Sequence, residues 1–323
     1  MSADNDNKAD DMMKMMSSCA SCGILPECDV IKLKECTACD LVRYCSDECQ
    51  KNHTTQHEEA CKKRAAELRD ELLFKQPDSS YLGDCPICMI PLQLDLDKSN
   101  MMTCCSKVIC NGCYHANLLR EEEEMLKHSC PFCRKPIPDT DEESDKRIMK
   151  RIEMDDPVAM RQEGLHLGKK GDYQSALRYL TRAAELGDVE AHHKVSYLYQ
   201  EGHGVDKDKE KEKMHHHLEE ATIGGHPYAR YNLGCVEWNN NNKERAVKHF
   251  IIAATQGHDQ SIKTLMSAFK IGKVGKEVLA VALRAHHAAV NATKSPQREA
   301  AEAAEKIIGN VDNVHVEASV EGT

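Results

Sequence analysis

From residue 156 onward the apolar and small side chains return every three or four positions, as in Ala176, Leu177, Leu180, Ala183 and Leu186. That spacing puts them on one face of a helix and leaves the opposite face polar. Asp156 followed by Pro157 reads as a helix cap and a first-turn proline. Three later stretches close alike, RAAELGDVEAHH, EEATIGGHPYAR and AATQGHDQSI. Their glycines Gly187, Gly225 and Gly257 lie 38 and 32 residues apart and suit helix C-termini. The pattern predicts helix–turn–helix units. One such unit cannot bury its own apolar stripe, so neighbours must stack into an all-α solenoid. About four units fit residues 156–292, with a polar helix and disordered tail over 293–323. The stretch KKRAAELRDELLFKQ, bounded by Pro77, predicts a helical linker within 62–80, and residues 139–155 form an acidic hinge.

Before residue 134 no such period exists, and cysteine takes over as the organising residue. Of 17 cysteines, 16 precede residue 134 and one, Cys235, follows. Setting aside Cys28 and Cys235 and adding His57 gives sixteen donors, or four tetrahedral groups of the kind that hold structural zinc. The first string is Cys19, Cys22, Cys36, Cys39, Cys45, Cys49, His57 and Cys61. The second is Cys85, Cys88, Cys104, Cys105, Cys110, Cys113, Cys130 and Cys133. Segments this short bury too little apolar surface to fold unaided. Zinc supplies the missing free energy, on the order of 10–16 kcal/mol per structural site. The first 18 residues are acidic, polar and expected to be disordered, with no apolar core of a secretory signal. No apolar run spans a membrane. Reduced thiolates therefore suit a cytoplasmic or nuclear protein better than a disulfide framework does. A net charge of −10 argues against nucleic acid as the principal partner.

The ligand spacing over 19–61, with RYCSDEC followed by Gln50 and Lys51, closely resembles the MYND zinc finger. The resemblance implies interleaved sites: Cys19, Cys22, Cys45 and Cys49 on one zinc, Cys36, Cys39, His57 and Cys61 on the other. It also implies a protein-interaction module whose peptide groove includes Ser46 and Gln50. The family's aromatic after the histidine of CQKxH is Thr54 here. Cys28 reads as a spare small hydrophobe and His53 as a surface residue.

Residues 81–138, with CPIC and CPFCRKP around the outer pairs, resemble a RING-type finger in an all-cysteine variant. The usual histidine position carries Lys107, so Cys104 and Cys105 must supply the second pair, together or singly. The resemblance implies that the first and third pairs share one zinc and the second and fourth the other. It also implies a ubiquitin-conjugating enzyme and ubiquitin as partners. Ile87 would be the apolar contact, Pro131 would lie in the final knuckle, and Arg134 would bridge enzyme and ubiquitin through its planar fork of donors. The acidic run Glu121 to Glu124 reads as a solvated helix face.

The segment YLYQEGHGVDKD and the recurring closings resemble SLR (Sel-one-like) repeats, relatives of tetratricopeptide repeats, which implies a scaffold that collects proteins. Cys235 and Trp238 are expected in its core, and His215, His216 and His217 on a solvated face. The fold class is thus small zinc-stabilised α+β modules followed by an all-α solenoid of helix–turn–helix repeats. Two functions fit: a RING-type ubiquitin ligase whose solenoid recruits substrate, or a non-enzymatic adaptor in which every module only binds proteins. A methyltransferase carrying a MYND insert fails for want of a glycine-rich cofactor loop or a catalytic domain.

Overall fold

The computed structural model describes residues 18–25, 32–206 and 210–307. Cys28, nearly all of the N-terminal segment and the tail beyond residue 307 lie outside the described residues. The chain divides into two compact units, Met1–Lys75 and Gln76–Thr323.

In the first unit, β1 (Lys34–Glu35) and β2 (Arg43–Tyr44) pair antiparallel, Lys34 opposite Tyr44 and Glu35 opposite Arg43. The opposed charges meet directly, Arg43 Nη2 lying 2.7 Å from Glu35 Oε1. Helix α1 (Asp47–Leu73) follows, its first turn capped by the Ser46 hydroxyl, which accepts from the Cys49 amide. Asp47 and Glu48 complement the positive end of its dipole. The stretch expected to be a separate linker is thus the continuation of the helix that carries Cys49, His57 and Cys61. The buried core is Cys19, Cys36, Cys39, Val42 and Tyr44, too little apolar surface to hold a fold without metal.

The second unit opens with the second cysteine module. A 3-10 turn (Leu96–Lys98) leads into β3 (Ser99–Met101), which pairs antiparallel with β4 (Val108–Cys110), and α2 (Asn111–Glu123) follows. Leu92 and Ile109 are buried among Cys85, Cys110, Cys113 and Cys130. The acidic hinge contains a helix, α3 (Asp141–Ile152), because Thr140 caps it, three acids fill its first turn and Lys150 and Arg151 its last. Arg147 ties it back to the cysteine module by donating to the Pro136 carbonyl at 2.5 Å.

Four helix pairs then stack: α4 (Pro157–Lys169) with α5 (Tyr173–Glu185), and α6 (Val189–Glu201) with α7 (Lys211–Ile223). After them come α8 (Pro227–Asn239) with α9 (Lys243–Thr255), and α10 (Asp259–Lys270) with α11 (Lys276–Ala292). The first helix of each pair is capped by a homologous side chain, Asp156, Asp188, His226 and His258 in turn, each accepting from the backbone amide at the third helical position. The glycine before three of these caps sits at φ near +90°, as Gly187, Gly225 and Gly257, where a side chain would be strained. Ala176, Leu180 and Ala183 are buried as the periodicity predicts, but Leu186, at the C-cap of α5, is 37% exposed. Cys235 and Trp238 pack against the buried cluster around Phe250. Residues 296–307 are helical, and no helix among the described residues is long and apolar enough to cross a membrane.

The three consecutive histidines do not share one environment. His216 is exposed and His215 half-buried, but His217 turns inward until its Nδ1 lies 3.0 Å from Nδ1 of His192. Three successive residues sweep about 200° of a helix, so one of them must face the packed side. Glu121 also departs from the expected solvated face. Its side chain is 1% exposed and accepts from the Ser129 amide at 3.1 Å and hydroxyl at 2.5 Å. Burial raises its pKa, yet these bonds outweigh it and hold the carboxyl below its ordinary value.

Candidate metal centres

One backbone device recurs at four of the cysteine pairs. In Cys19-x2-Cys22, Cys36-x2-Cys39, Cys85-x2-Cys88 and Cys130-x2-Cys133 the residue after the second cysteine turns left-handed: Gly23, Asp40, Met89 and Arg134, at φ 74°, 55°, 53° and 63°. Its amide donates to the carbonyl of the first cysteine at 2.8, 3.1, 2.9 and 2.9 Å. The turn folds each pair into a loop that presents both sulfurs to one side. Three of the four positions carry a Cβ and take on that strain, which needs a compensating interaction. The remaining regular pairs use helix starts instead. Cys45 and Cys49 flank the first turn of α1, and Cys110 is the N-cap of α2, its sulfur accepting from the Cys113 amide at 3.4 Å.

Among the described residues four groups of four donors form, each with all ligand atoms within 4.8 Å of one another. They are Cys19, Cys22, Cys45 and Cys49; Cys36, Cys39, His57 and Cys61; Cys85, Cys88, Cys110 and Cys113; and Cys104, Cys105, Cys130 and Cys133. Both modules therefore interleave their pairs, first with third and second with fourth. Four sulfurs around a tetrahedral zinc, with Zn–S near 2.3 Å, stand about 3.8 Å apart. The observed separations are 3.6 Å for Cys22–Cys45, 3.8 Å for Cys36–Cys61, 3.8 Å for Cys88–Cys110 and 3.9 Å for Cys105–Cys130. Cys104–Cys133 is tighter at 3.3 Å, and Cys39 Sγ stands 3.0 Å from His57 Nε2.

Adjacent Cys104 and Cys105 both reach their group because the chain doubles back there. The amides of Cys105 and Ser106 both donate to the Met102 carbonyl, Met102 donates to Lys107, and Ser106 is left-handed at φ 55°. Lys107 does not face the cysteines; its ammonium lies 5.8 Å over the Phe132 ring.

The electrostatics of these groups call for a cation. Burial first, then neighbouring Cys36 and Cys61, push the Cys39 thiol up to about 12. Hydrogen bonds to Cys49 and Cys22 push Cys45 up to about 12, and burial pushes Cys113 to about 12 and Cys105 to about 11. Four thiols this close cannot all ionise unless a dication compensates the charge.

A fifth group, Glu190, His193 and His226, also brings three donors together, but its hydrogen bonds oppose a metal. His226 Nδ1 accepts from the Ala229 amide at 3.2 Å, so the ring proton is on Nε2, which stands 2.9 Å from Glu190 Oε2. The Tyr81 hydroxyl donates to the same oxygen at 2.7 Å, and the Lys194 ammonium is 3.1 Å from the other. A dication there would meet a ring N–H and an ammonium. Burial raises the Glu190 pKa, but the neighbouring His193, the bond with His226 and the Lys194 charge prevail and keep the carboxylate ionised. Through Tyr81, whose ring also lies 4.4 Å from that of His226, this network fastens the start of the second module to the repeats. Nothing in the sequence marks Tyr81 as their partner, since it meets Glu190 across more than one hundred positions.

Ile87, Pro131 and Arg134 line one groove of about 420 Å³ with Cys88, Cys113, Ala116, Asn117, Arg120 and Gln297. Ile87 is 41% exposed. Pro131 is buried and Arg134 exposed, and the Arg134 guanidinium donates to Asn117 Oδ1 at 2.9 Å. In the first module Ser46 is exposed and Gln50 half-buried, both in the first turn region of α1. His53 is half-buried there, 3.2 Å from the Tyr44 hydroxyl and stacked on His57.

This architecture defines a class: a protein-interaction protein that joins cysteine-rich metal fingers to a helical repeat array. Comparison with known families makes two of its parts specific. Residues 19–61 match the MYND finger, a zinc-binding module, and residues 159–188, 189–211 and 227–258 match the Sel1 repeat. A comparison with curated protein sequences finds no significant match. Among solved structures the chain is similar to a Sel1 repeat protein from Oxalobacter formigenes, with 25% identity and TM-score 0.40, over 56% of this chain and 72% of that one. It is also similar to a protective antigen of uropathogenic Escherichia coli strains that displays an SLR fold, with 19% identity and TM-score 0.40, over 54% of this chain and 37% of that one.

Proposed function

We propose that the second module is a RING-type finger holding two zinc ions, beside two in the MYND finger, and that the protein is a ubiquitin ligase whose repeats recruit substrate. The observation that carries this reading is the convergence of Ile87, Pro131 and Arg134 on one groove, beside the interleaved groups Cys85, Cys88, Cys110, Cys113 and Cys104, Cys105, Cys130, Cys133. In this reading Ile87 offers the conjugating enzyme an apolar seat in a groove that Pro131 helps to line. Arg134 holds the enzyme and its thioester-linked ubiquitin in the reactive arrangement. The finger forms no covalent bond itself; its contribution is orientation, which alone can be worth several orders of magnitude in rate. The fusion of module and repeats through Tyr81 and Glu190 would keep a bound substrate at a constant reach from the groove.

One observation favours the adaptor reading instead: Arg134 already spends a donor on Asn117 within the finger. Reconstitution with activating enzyme, a panel of conjugating enzymes and ubiquitin separates the two. In the ligase reading chains form, and Ile87→Ala and Arg134→Ala each slow them by about 10-fold or more with bound zinc unchanged. Asn117→Ala, which releases Arg134, raises or preserves the rate. Absence of chains across the whole panel, including with Asn117→Ala, assigns the module to binding alone.

A further inference from the structure

Arg298, in the helical segment 296–307, is 3% exposed, and among the described residues no carboxylate pairs with it. A guanidinium cannot shed its charge at physiological pH, and burying it without a counter-charge is costly. Its neighbours are the Pro91 carbonyl at 2.6 Å, the Thr293 carbonyl at 2.7 Å, the Ile90 carbonyl at 3.0 Å and Cys88 Sγ at 3.6 Å. Carbonyl dipoles solvate the cation but do not neutralise it. The negative charge in reach is that of the cysteine group. Four thiolates around Zn²⁺ leave a net charge of −2, and Cys88 is one of the four. This argument rests on the reading that Cys85, Cys88, Cys110 and Cys113 hold zinc.

The helix is fitted to the site along a whole face. Arg298, Ala301 and Glu305 fall at i, i+3 and i+7. Ala301 is 2% exposed, while Glu305 accepts from Lys98 at 3.0 Å and from Asn111 at 2.7 Å. Asn111 and Gly112 open α2 between the ligands Cys110 and Cys113. A Cβ on Gly112 would come within 2.7 Å of the Arg298 amide nitrogen and 2.9 Å of its Cα, so the backbone of residue 298 rests directly on the ligand-bearing turn.

We infer that Arg298 is the outer-sphere counter-ion of the Cys85–Cys88–Cys110–Cys113 centre, and that through it the helix 296–307 is latched to the second module only while that centre holds its metal. Arg298 is a positioning residue: it stabilises the charged centre and touches no metal. The latch runs both ways. Loss of the metal removes the counter-charge and frees the helix, and loss of the guanidinium loosens the metal. Because Gln297 lines the groove of Ile87, Pro131 and Arg134, the state of the latch also sets one wall of that groove.

The test uses the full chain loaded with zinc and challenged with a chelator, counting ions by native mass spectrometry and locating the emptied cysteines by alkylation. Arg298→Ala is expected to speed loss of one ion by about 10-fold or more, exposing Cys85, Cys88, Cys110 and Cys113, while the other ions leave at the wild-type rate. Arg298→Lys, which keeps the charge, falls between. Gly112→Ala keeps the guanidinium but displaces its helix, and gives the same selective loss without depending on the folding of the arginine variants. In the wild type, emptying that centre raises hydrogen exchange over 296–307 by about 10-fold or more. Loss rates within two-fold of wild type for every ion, or exchange over 296–307 indifferent to metal, would overturn the latch. A wild-type protein with no metal on those four cysteines would overturn the underlying reading instead.

Discussion

The MYND finger and the helical array both close a core, and they do it with opposite materials. Among the described residues of the finger, three of the five that form its buried cluster are cysteines, joined by Val42 and Tyr44. The first cluster of the array buries Met160, Ala176, Leu180, Ala183, Ala184, Ala191, Val195, Leu198 and Tyr199, with no cysteine. In the array, small residues let helices approach and larger ones fill between them, so hydrophobic burial and dispersion supply the free energy. In the finger the apolar surface is too small, and the left-handed turn at Asp40 adds cost instead of stability. The lesson is that one region's stability is chemical, set by an ion, and the other's is distributed over many contacts.

Metal removal is the most direct way to break that comparison. A structural zinc site contributes on the order of 10–16 kcal/mol, as much as the entire stability of an ordinary domain. A strong chelator is therefore expected to unfold residues 19–61 outright while the helices of residues 157–292 keep their circular dichroism. Hydrogen exchange resolved by segment would show both outcomes in one experiment. Protection surviving over 19–61 after the metal has left would mean that the finger has a core the structure does not reveal.

Acid sharpens the contrast from the other side, because the later repeats are capped by histidines. His226 and His258 accept backbone amides through Nδ1, which only an unprotonated nitrogen can do. Burial lowers both to about 4. Near His226 the Glu190 carboxylate opposes the shift while His193 and Lys194 reinforce it; near His258, Asp259 opposes and His286 reinforces. A histidine held below its unfolded value near 6.5 contributes stability fully above that pH and loses it as the pH falls toward 4. Each buried histidine then costs about 1.4 kcal/mol per pH unit across that window. The midpoint of thermal unfolding of the repeats is thus expected to fall between pH 6.5 and 4. His258→Asn, which keeps an acceptor but cannot titrate, should flatten the slope. An unchanged slope in that variant would show that the cap is not the titrating device.

How legible this was from residues alone follows the same division. The repeat period, the glycines at 187, 225 and 257 and the grouping of cysteines into pairs are local or periodic, and they could be read directly. The interleaving of the pairs followed from resemblance, since spacing by itself does not say which pairs share an ion. Contacts made where a distant segment or a doubling back of the chain covers a side chain left no trace. Tyr81 reaches Glu190, Arg298 reaches Cys88, and Glu121 folds under Ser129. Each is a polar residue that looks solvated until a distant or turned-back backbone covers it. The inward turn of His217 was hidden for the same reason: three identical neighbours carry no signal of which one faces the partner helix.

The smallest effect concerns two glycines of the array that look interchangeable in sequence. Gly234 and Gly168 both sit inside helices, where glycine is less favourable than alanine by roughly 1 kcal/mol. A Cβ at Gly234 would stand 2.6 Å from Phe250 Cε1 and 2.9 Å from its Cδ1, against a ring that is 1% exposed. A Cβ at Gly168 would meet only the Ala176 Cβ, at an ordinary 3.8 Å. Overpacking a core typically costs about 1–3 kcal/mol, which exceeds the helical gain at Gly234 and is absent at Gly168. Gly234→Ala is expected to lower the free energy of unfolding by about 1–2 kcal/mol and Gly168→Ala to raise it by up to ~1 kcal/mol, read from urea unfolding of metal-loaded protein. The sign reversal is the informative part. The array holds its core by such close helix approach, so an alanine tolerated at Gly234 would mean the repeats are packed more loosely than the position of Phe250 implies.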